Sequence, residues 1–341
     1  MGSKSIAWCF AGACATTVLL VAACSGYDPI VYSDRVPYEW ELWAGDAGAD
    51  GDAGGDGSAD GAASGPTAAV TERTVFPPDN FWNKDISNEP VDPKGYRYID
   101  SIGPDLPVRA AFGPGDGIPF QFVGADQRKT AVEFRWPDES DAGPYPIPEK
   151  PLIETGPDKH ILMIDRETWT LYELFQARFD GGKWKADCGA IFDLKSNKTR
   201  PVGWTSADAA GLAVFPGLVR GDEVFDKKVI NHALRFTVKN TQKGYVYPAT
   251  HFASDKRDPS LPPMGMWVRL KSNYNIDSFA PPVQVILRAL KKHGMILADN
   301  GSNYFISGAP DPRWRTEDLK DLERVKGKDF EVVKTGDVVT K

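Results

Sequence analysis

Residues 45–66 read GDAGADGDAGGDGSADGAASGP, in which Ala is the largest apolar side chain apart from the closing Pro. Such a tract has nothing to bury, so it cannot offset the entropy of ordering its backbone, and its like charges repel one another. It divides the chain. Whatever folds must be built from the residues after it, and from about Val70 the composition changes abruptly to ordinary globular material. Charge follows the same division. Residues 1–66 hold two basic side chains and nine acidic ones, a net −7 that equals the net charge of all 341 residues. The body is therefore neutral. It lacks the excess of Lys and Arg that a nucleic-acid surface requires, and no nucleic-acid partner is expected.

The first residues read as an address. Lys4 is followed by an uncharged run from Ile6 to Ala23 that ends Val21-Ala22-Ala23-Cys24. A cation, an apolar stretch and small residues before a cut site form a secretory leader. With Cys24 directly after two alanines, the segment resembles the lipobox of bacterial lipoproteins. That resemblance implies cleavage after Ala23, lipid on Cys24, and export to the cell envelope. Ser25 is compatible with the outer membrane or cell surface. The expected organisation is a signal peptide at 1–23, a lipid-anchored tether at 24–69 and one globular domain at 70–341, acting as a monomer. Cys9 and Cys14 leave with the leader, so Cys188 has no internal disulfide partner and reads as a small buried hydrophobe.

The body reads as strand-rich. Thr130–Trp136 and Met266–Lys271 alternate apolar and polar side chains, and His160–Asp165 and Thr170–Phe175 form two further strands around a short polar turn. Met295–Asp299 and Ser302–Ile306 flank Asn300-Gly301, a hairpin signal. Asn231–Lys239 and Gly244–Phe252 predict a second hairpin around Asn240–Lys243. Helices are few: Pro281–His293 with Asp277 or Ser278 as cap and Gly294 as stop, Thr316–Val325, and a third after Ser206. The expected fold is mostly β, a β-sandwich or jelly-roll-like body with three or four short helices, with α+β as the alternative.

No GxSxG, HExxH, paired CxxC, phosphate-binding glycine loop or GxGxxG is present. The chemistry must lie in weaker constellations. The predicted turn at Asn240–Lys243 would set His232 opposite His251, a spacing that suits an acid–base pair or a divalent metal. Asp208, after the expected cap Ser206, and Glu223, on an expected loop, are the candidate carboxylates of a glycosidase pair. Trp204, Arg235, Tyr247, Trp267 and Arg269 are the substrate-binding candidates. Trp267 and Arg269 alternate with Met266 and Val268 and would share an open sheet face. Arg235 is expected to point away from His232. His160 shows no partner, and His293 would place a favourable charge at a helix C-terminus.

Gly203-Trp-Thr-Ser-Ala-Asp-Ala-Ala-Gly-Leu212, Ala233-Leu-Arg-Phe236, Tyr247-Pro-Ala249, His251, Pro263-Met-Gly265, Ala298-Asp-Asn-Gly301 and Gly308-Ala-Pro-Asp311 together resemble a group of uncharacterised secreted bacterial proteins. The resemblance spans roughly Asn80 to Trp314. It implies a single exported domain and supplies no catalytic residues. The leading expectation is a surface-tethered enzyme that acts on an extracellular polysaccharide, as a glycoside hydrolase or a lyase. Two alternatives stay open. One is a non-catalytic glycan- or envelope-binding lipoprotein. The other is a metal-dependent ester or phosphodiester hydrolase, with His232 and His251 as ligands.

Overall fold

The structure is a computed structural model, and it describes residues 73–340. The expected leader at 1–23, the expected lipidation at Cys24 and the expected tether at 24–69 fall on residues outside the described ones, which begin at 73. Among the described residues, no helix is long and apolar enough to cross a membrane.

The body is mostly β, in three sheets with few short helices. The six-stranded sheet has the order β1 (Arg109–Ala111), β12 (Phe305–Ser307), β9 (Leu234–Val238), β11 (Met295–Asn300), β10 (Trp267–Leu270) and β13 (Phe330–Val332). The four-stranded sheet runs β2 (Phe120–Val123), β4 (Ile161–Asp165), β5 (Thr170–Phe175), β8 (Cys188–Asp193). The three-stranded sheet runs β3 (Val132–Phe134), β7 (Lys183–Ala186), β6 (Arg178–Asp180). Parallel and antiparallel pairs mix in all three, so the α+β description suits them better than an all-antiparallel jelly roll.

The four-stranded sheet is buried on both faces. Leu162, Ile164, Leu171 and Phe175 belong to the large core that includes the six-stranded sheet, whereas Ile161, Met163, Tyr172 and Leu174 join Val132 and Ala186 of the three-stranded sheet. That explains why β4 is an unbroken apolar run, as a strand covered on both sides must be. It also turns Glu173, between Leu171 and Phe175, toward the large core.

Two predicted hairpins are absent. β11 and β12 do not pair. β9 lies between them, parallel to β11 and antiparallel to β12, so the Asn300-Gly301 turn steps across a strand. Gly244–Phe252 forms no strand at all, and β9 takes both its partners from the C-terminal segments. The two ladders available in β11 and β12 are long-range in sequence, which no local turn signal reveals.

The helix α2 (Pro281–Lys292) matches the expectation, except that Ala280 precedes it with no side-chain cap, and Gly294 ends it at φ +68°. A shorter α3 (Thr316–Lys320) passes into a 3₁₀ turn at Asp321–Arg324. No helix follows Ser206. A helix not read from the sequence, α1 (Tyr96–Ile102), precedes β1, and Asp222–Lys227 form a single π-helical turn where a loop was expected.

Candidate active site

The segment 203–214 (GWTSADAAGLAV) lies at the centre of the site. Ser206 does not cap a helix. Its Oγ accepts from the Asp208 amide at 2.9 Å and donates to the Leu212 carbonyl, closing a side-chain turn that competes with helix formation. The small side chains let neighbouring groups reach the backbone, and almost every peptide here is gripped from outside. Glu139 accepts from the Thr205 amide at 3.2 Å, and Arg200 Nε donates to the Thr205 carbonyl. His160 Nε2 donates to the Ala207 carbonyl at 3.0 Å, and His251 Nδ1 to the Ala209 carbonyl at 2.8 Å. Ala210 donates to the Ala298 carbonyl at 2.9 Å. The loop is thus fixed by residues from distant parts of the sequence.

That grip aims Asp208 into the protein. Its carboxylate, fully buried, receives Arg235 Nη2 at 2.8 Å and Nε at 3.1 Å, while Arg235 Nη1 donates to Ser307 Oγ. Arg235 sits in β9, and Asp299 joins its face through a bulge. The ladder between β9 and β11 skips Ala298, so Asp299 registers with Thr237, two residues along from Arg235. Without the bulge, Asp299 would register with Val238 on the opposite face; bulges next to sites re-aim side chains in this way. Burial, then the nearby Asp208 charge, pushes the Asp299 carboxyl well above the ordinary aspartate range, against the pull of Arg235.

A second group stands at the start of β4. Glu154, Asp158 and His160 lie on a loop that closes on itself, the Glu154 amide donating to the His160 carbonyl at 3.0 Å. One donor atom from each of the three side chains falls within 4.8 Å of the others. His160 Nδ1 is 2.6 Å from Glu154 Oε2. Burial lowers the His160 pKa, but the Glu154 charge and hydrogen bond outweigh it and raise it to about 9. The ring is therefore an imidazolium that donates from both nitrogens. Burial raises the Glu154 carboxyl in turn, but His160 outweighs this and holds it below the ordinary range. Asp158 moves the other way, chiefly through burial, and among the described residues its carboxylate has no hydrogen-bond partner. Both carboxylates are part-exposed, unlike Asp208. Glu173 completes the group. It accepts from the Val214 amide at 2.9 and 3.0 Å and from the Phe215 amide at 2.9 Å, and burial pushes its pKa up to about 7.

Three donors within 4.8 Å also suggest a cation. The fit is poor. Both nitrogens of His160 are committed to protein acceptors, so a metal would have to displace a proton and the contact with Glu154.

The structure places the sequence candidates apart. His232 does not face His251. Its Nε2 is 3.0 Å from Glu223 Oε2, and Arg220 Nη2 is 2.6 Å from Glu223 Oε1. All three side chains are buried at the π-helical turn, so Glu223 and His232 form an internal ion network, and Glu223 shares no partner with Asp208. His251 is part-exposed beside Glu139, at 3.9 Å, so the two histidines form neither a cross-strand pair nor a metal clamp. Trp267 and Arg269 are buried: the indole donates to the His293 carbonyl, and Arg269 binds Glu331 and the Glu89 carbonyl. That face offers no sugar platform. Arg235 is buried on Asp208 and unavailable to a ligand. Trp204 is half-buried under the Arg200 guanidinium, and Tyr247 is 60 % exposed with its ring edge to Phe81. His293 is buried, and burial lowers its pKa, which disfavours the expected helix-end charge. Cys188 is buried with its thiol pushed up to about 11, as an inert packing group.

Sequence reasoning missed Glu154, Asp158 and His160. The available signal was their spacing in IETGPDKH, with four ionisable groups, Lys159 among them, in a Gly-Pro loop ahead of an apolar strand. Compared with protein-family models, curated proteins and solved structures, the chain gives no significant match.

Proposed function

We propose that this chain is an exported, lipid-anchored glycoside hydrolase that acts on an extracellular polysaccharide through Glu154 and Asp158. The observation that carries the reading is the pair of part-exposed carboxylates within 4.8 Å of each other, shifted in opposite directions. Two carboxyl groups whose environments drive their pKa values apart form an acid and a base. Carboxyl groups this close leave no room for a water between them, which the inverting geometry needs, and so favour retention of anomeric configuration.

His160 keeps Glu154 ionised and binds only Oε2, leaving Oε1 free to attack. Asp158 holds its proton to higher pH than an ordinary aspartate. As Glu154 bonds to the anomeric carbon, the glycosidic C–O bond breaks and the leaving oxygen takes the Asp158 proton. Water then attacks the anomeric carbon, gives a proton to Asp158, and releases Glu154. His160 is a positioning residue, and Asp208 with Arg235 holds the loop that braces it through the Ala207 carbonyl.

Incubation of the full chain with polysaccharides should produce new reducing ends. Glu154→Gln and Asp158→Asn should each lower the rate by about 10²–10⁴-fold with the fold retained. Undiminished turnover in either variant would contradict the assignment. The rate should fall at alkaline pH as Asp158 loses its proton, and at acid pH as Glu154 gains one.

A further inference from the structure

We propose that the glycan accepted here is neutral or bears amino groups, and that it is cleaved by hydrolysis and not by elimination. The inference rests on the hydrolase reading of Glu154 and Asp158 and adds the substrate class.

The argument is one of charge and its commitment. Five carboxyl groups gather at the site: Glu154, Asp158, Glu173, Asp208 and Asp299. The cations that act on them most strongly are two, His160 and Arg235. Neither cation is free. Arg235 is bonded through Nε and Nη2 to Asp208 and through Nη1 to Ser307, with its guanidinium buried. His160 spends one nitrogen on Glu154 and the other on the Ala207 carbonyl. Lys159, the neighbouring cation on the loop, is exposed, and its Nζ donates to the Thr155 carbonyl.

Elimination from a uronate removes the proton beside the sugar carboxylate, which requires a cation on that carboxylate to stabilise the developing charge. No buried donor of the site is left for that task, and the exposed Lys159 is turned to the Thr155 carbonyl. A uronate or sulfate would instead meet the ionised Glu154 carboxylate, and like charges set together at an interface are strongly disfavoured. A neutral sugar brings no such repulsion, and a protonated amino sugar is attracted to the Glu154 carboxylate.

The test offers the full chain four polymers: a neutral glucan, partly deacetylated chitin, a polyuronate and a sulfated glycan. New reducing ends, the ultraviolet absorbance of unsaturated uronate, and binding of the matching oligosaccharides are read together. The expected result is reducing ends from the neutral or amino polymer, no unsaturated product, and binding of the acidic oligosaccharides on the order of tenfold weaker or more, a gap that narrows with added salt. Preference for the polyuronate, or any unsaturated product, overturns the inference. Charge-selective binding with no turnover on any polymer sinks the hydrolase reading and supports the substrate class. Equal binding of all four overturns the substrate class whatever the turnover.

Discussion

Arg235 is 3 % exposed, and one carboxylate, Asp208, neutralises it within hydrogen-bond distance. A buried charge left alone costs far more than the pair contributes together. Asp208→Ala should therefore destabilise the fold by about 3–5 kcal/mol in denaturant unfolding. Asp208→Asn, which keeps an acceptor, should cost less; an equal cost would mean that shape and not charge governs the position. Protons give a second prediction. The folded pKa of Glu173 is raised from 4.5 to about 7, so its contribution to stability is full below 4.5 and lost as pH rises through 7. His160 is raised from 6.5 to about 9, so its contribution is likewise lost as pH rises through 9. Glu154 is lowered and acts in the opposite sense, losing its contribution as pH falls below its ordinary range. Stability should therefore be greatest in mildly acidic solution and decline toward alkaline pH. In thermal unfolding, Glu173→Gln should flatten the part of that decline between pH 4.5 and about 7; an unchanged profile would show that Glu173 is not the titrating group.

At the scale of elements, segment 203–214 fixes the site, and its glycines can be told apart. Gly211 has φ +73°, and a Cβ there would collide with Thr250 Oγ1 and the Trp204 carbonyl. Gly203 has φ +85° with open space around it. Gly203→Ala should cost about 1–2 kcal/mol, the strain of a left-handed backbone alone. Gly211→Ala should cost more and lower turnover, because relieving the collision shifts the loop that seats Asp208 and braces His160. Equal effects on unfolding and rate would show that the loop position does not govern the site.

The same segment shows what the sequence discloses and what it hides. Strands β4, β5 and β10 and helix α2 are legible because apolar spacing and a closing glycine are local signals. The pairing of β9 with β11 and β12 is hidden because ladder partners are chosen by burial across the whole chain, so the turn chemistry of Asn300-Gly301 misleads. His251 and Asp208 are legible as separate candidates, but their common place at one loop and their partners, Glu139 and Arg235, are set by contacts far away in sequence. His160 looked unpartnered because Glu154 reaches it only through a loop fold. Trp267 and Arg269 alternate as an open face would, yet Ile86, Glu89 and the end of α2 cover them.

At the scale of the molecule, the central four-stranded sheet is covered on both sides, and polar contacts cross its large-core face at two places. Glu173 of β5 holds the amides of Val214 and Phe215, and His160, next to β4, holds the Ala207 carbonyl. The body and its site thus form one packed unit. If Cys24 is the lipid anchor, Cys24→Ser should move the chain from the membrane fraction to the soluble one with no loss of glycan cleavage; a membrane-bound variant would point to another anchor. The most direct test of the central claim is the stereochemistry of the first product, followed by proton NMR of the anomeric signals during cleavage of a neutral oligosaccharide. The account predicts that the new reducing end first appears with the configuration of the bond that was cut, and that Glu154→Gln abolishes the signal. Inversion, or an undiminished signal from Glu154→Gln, would contradict it.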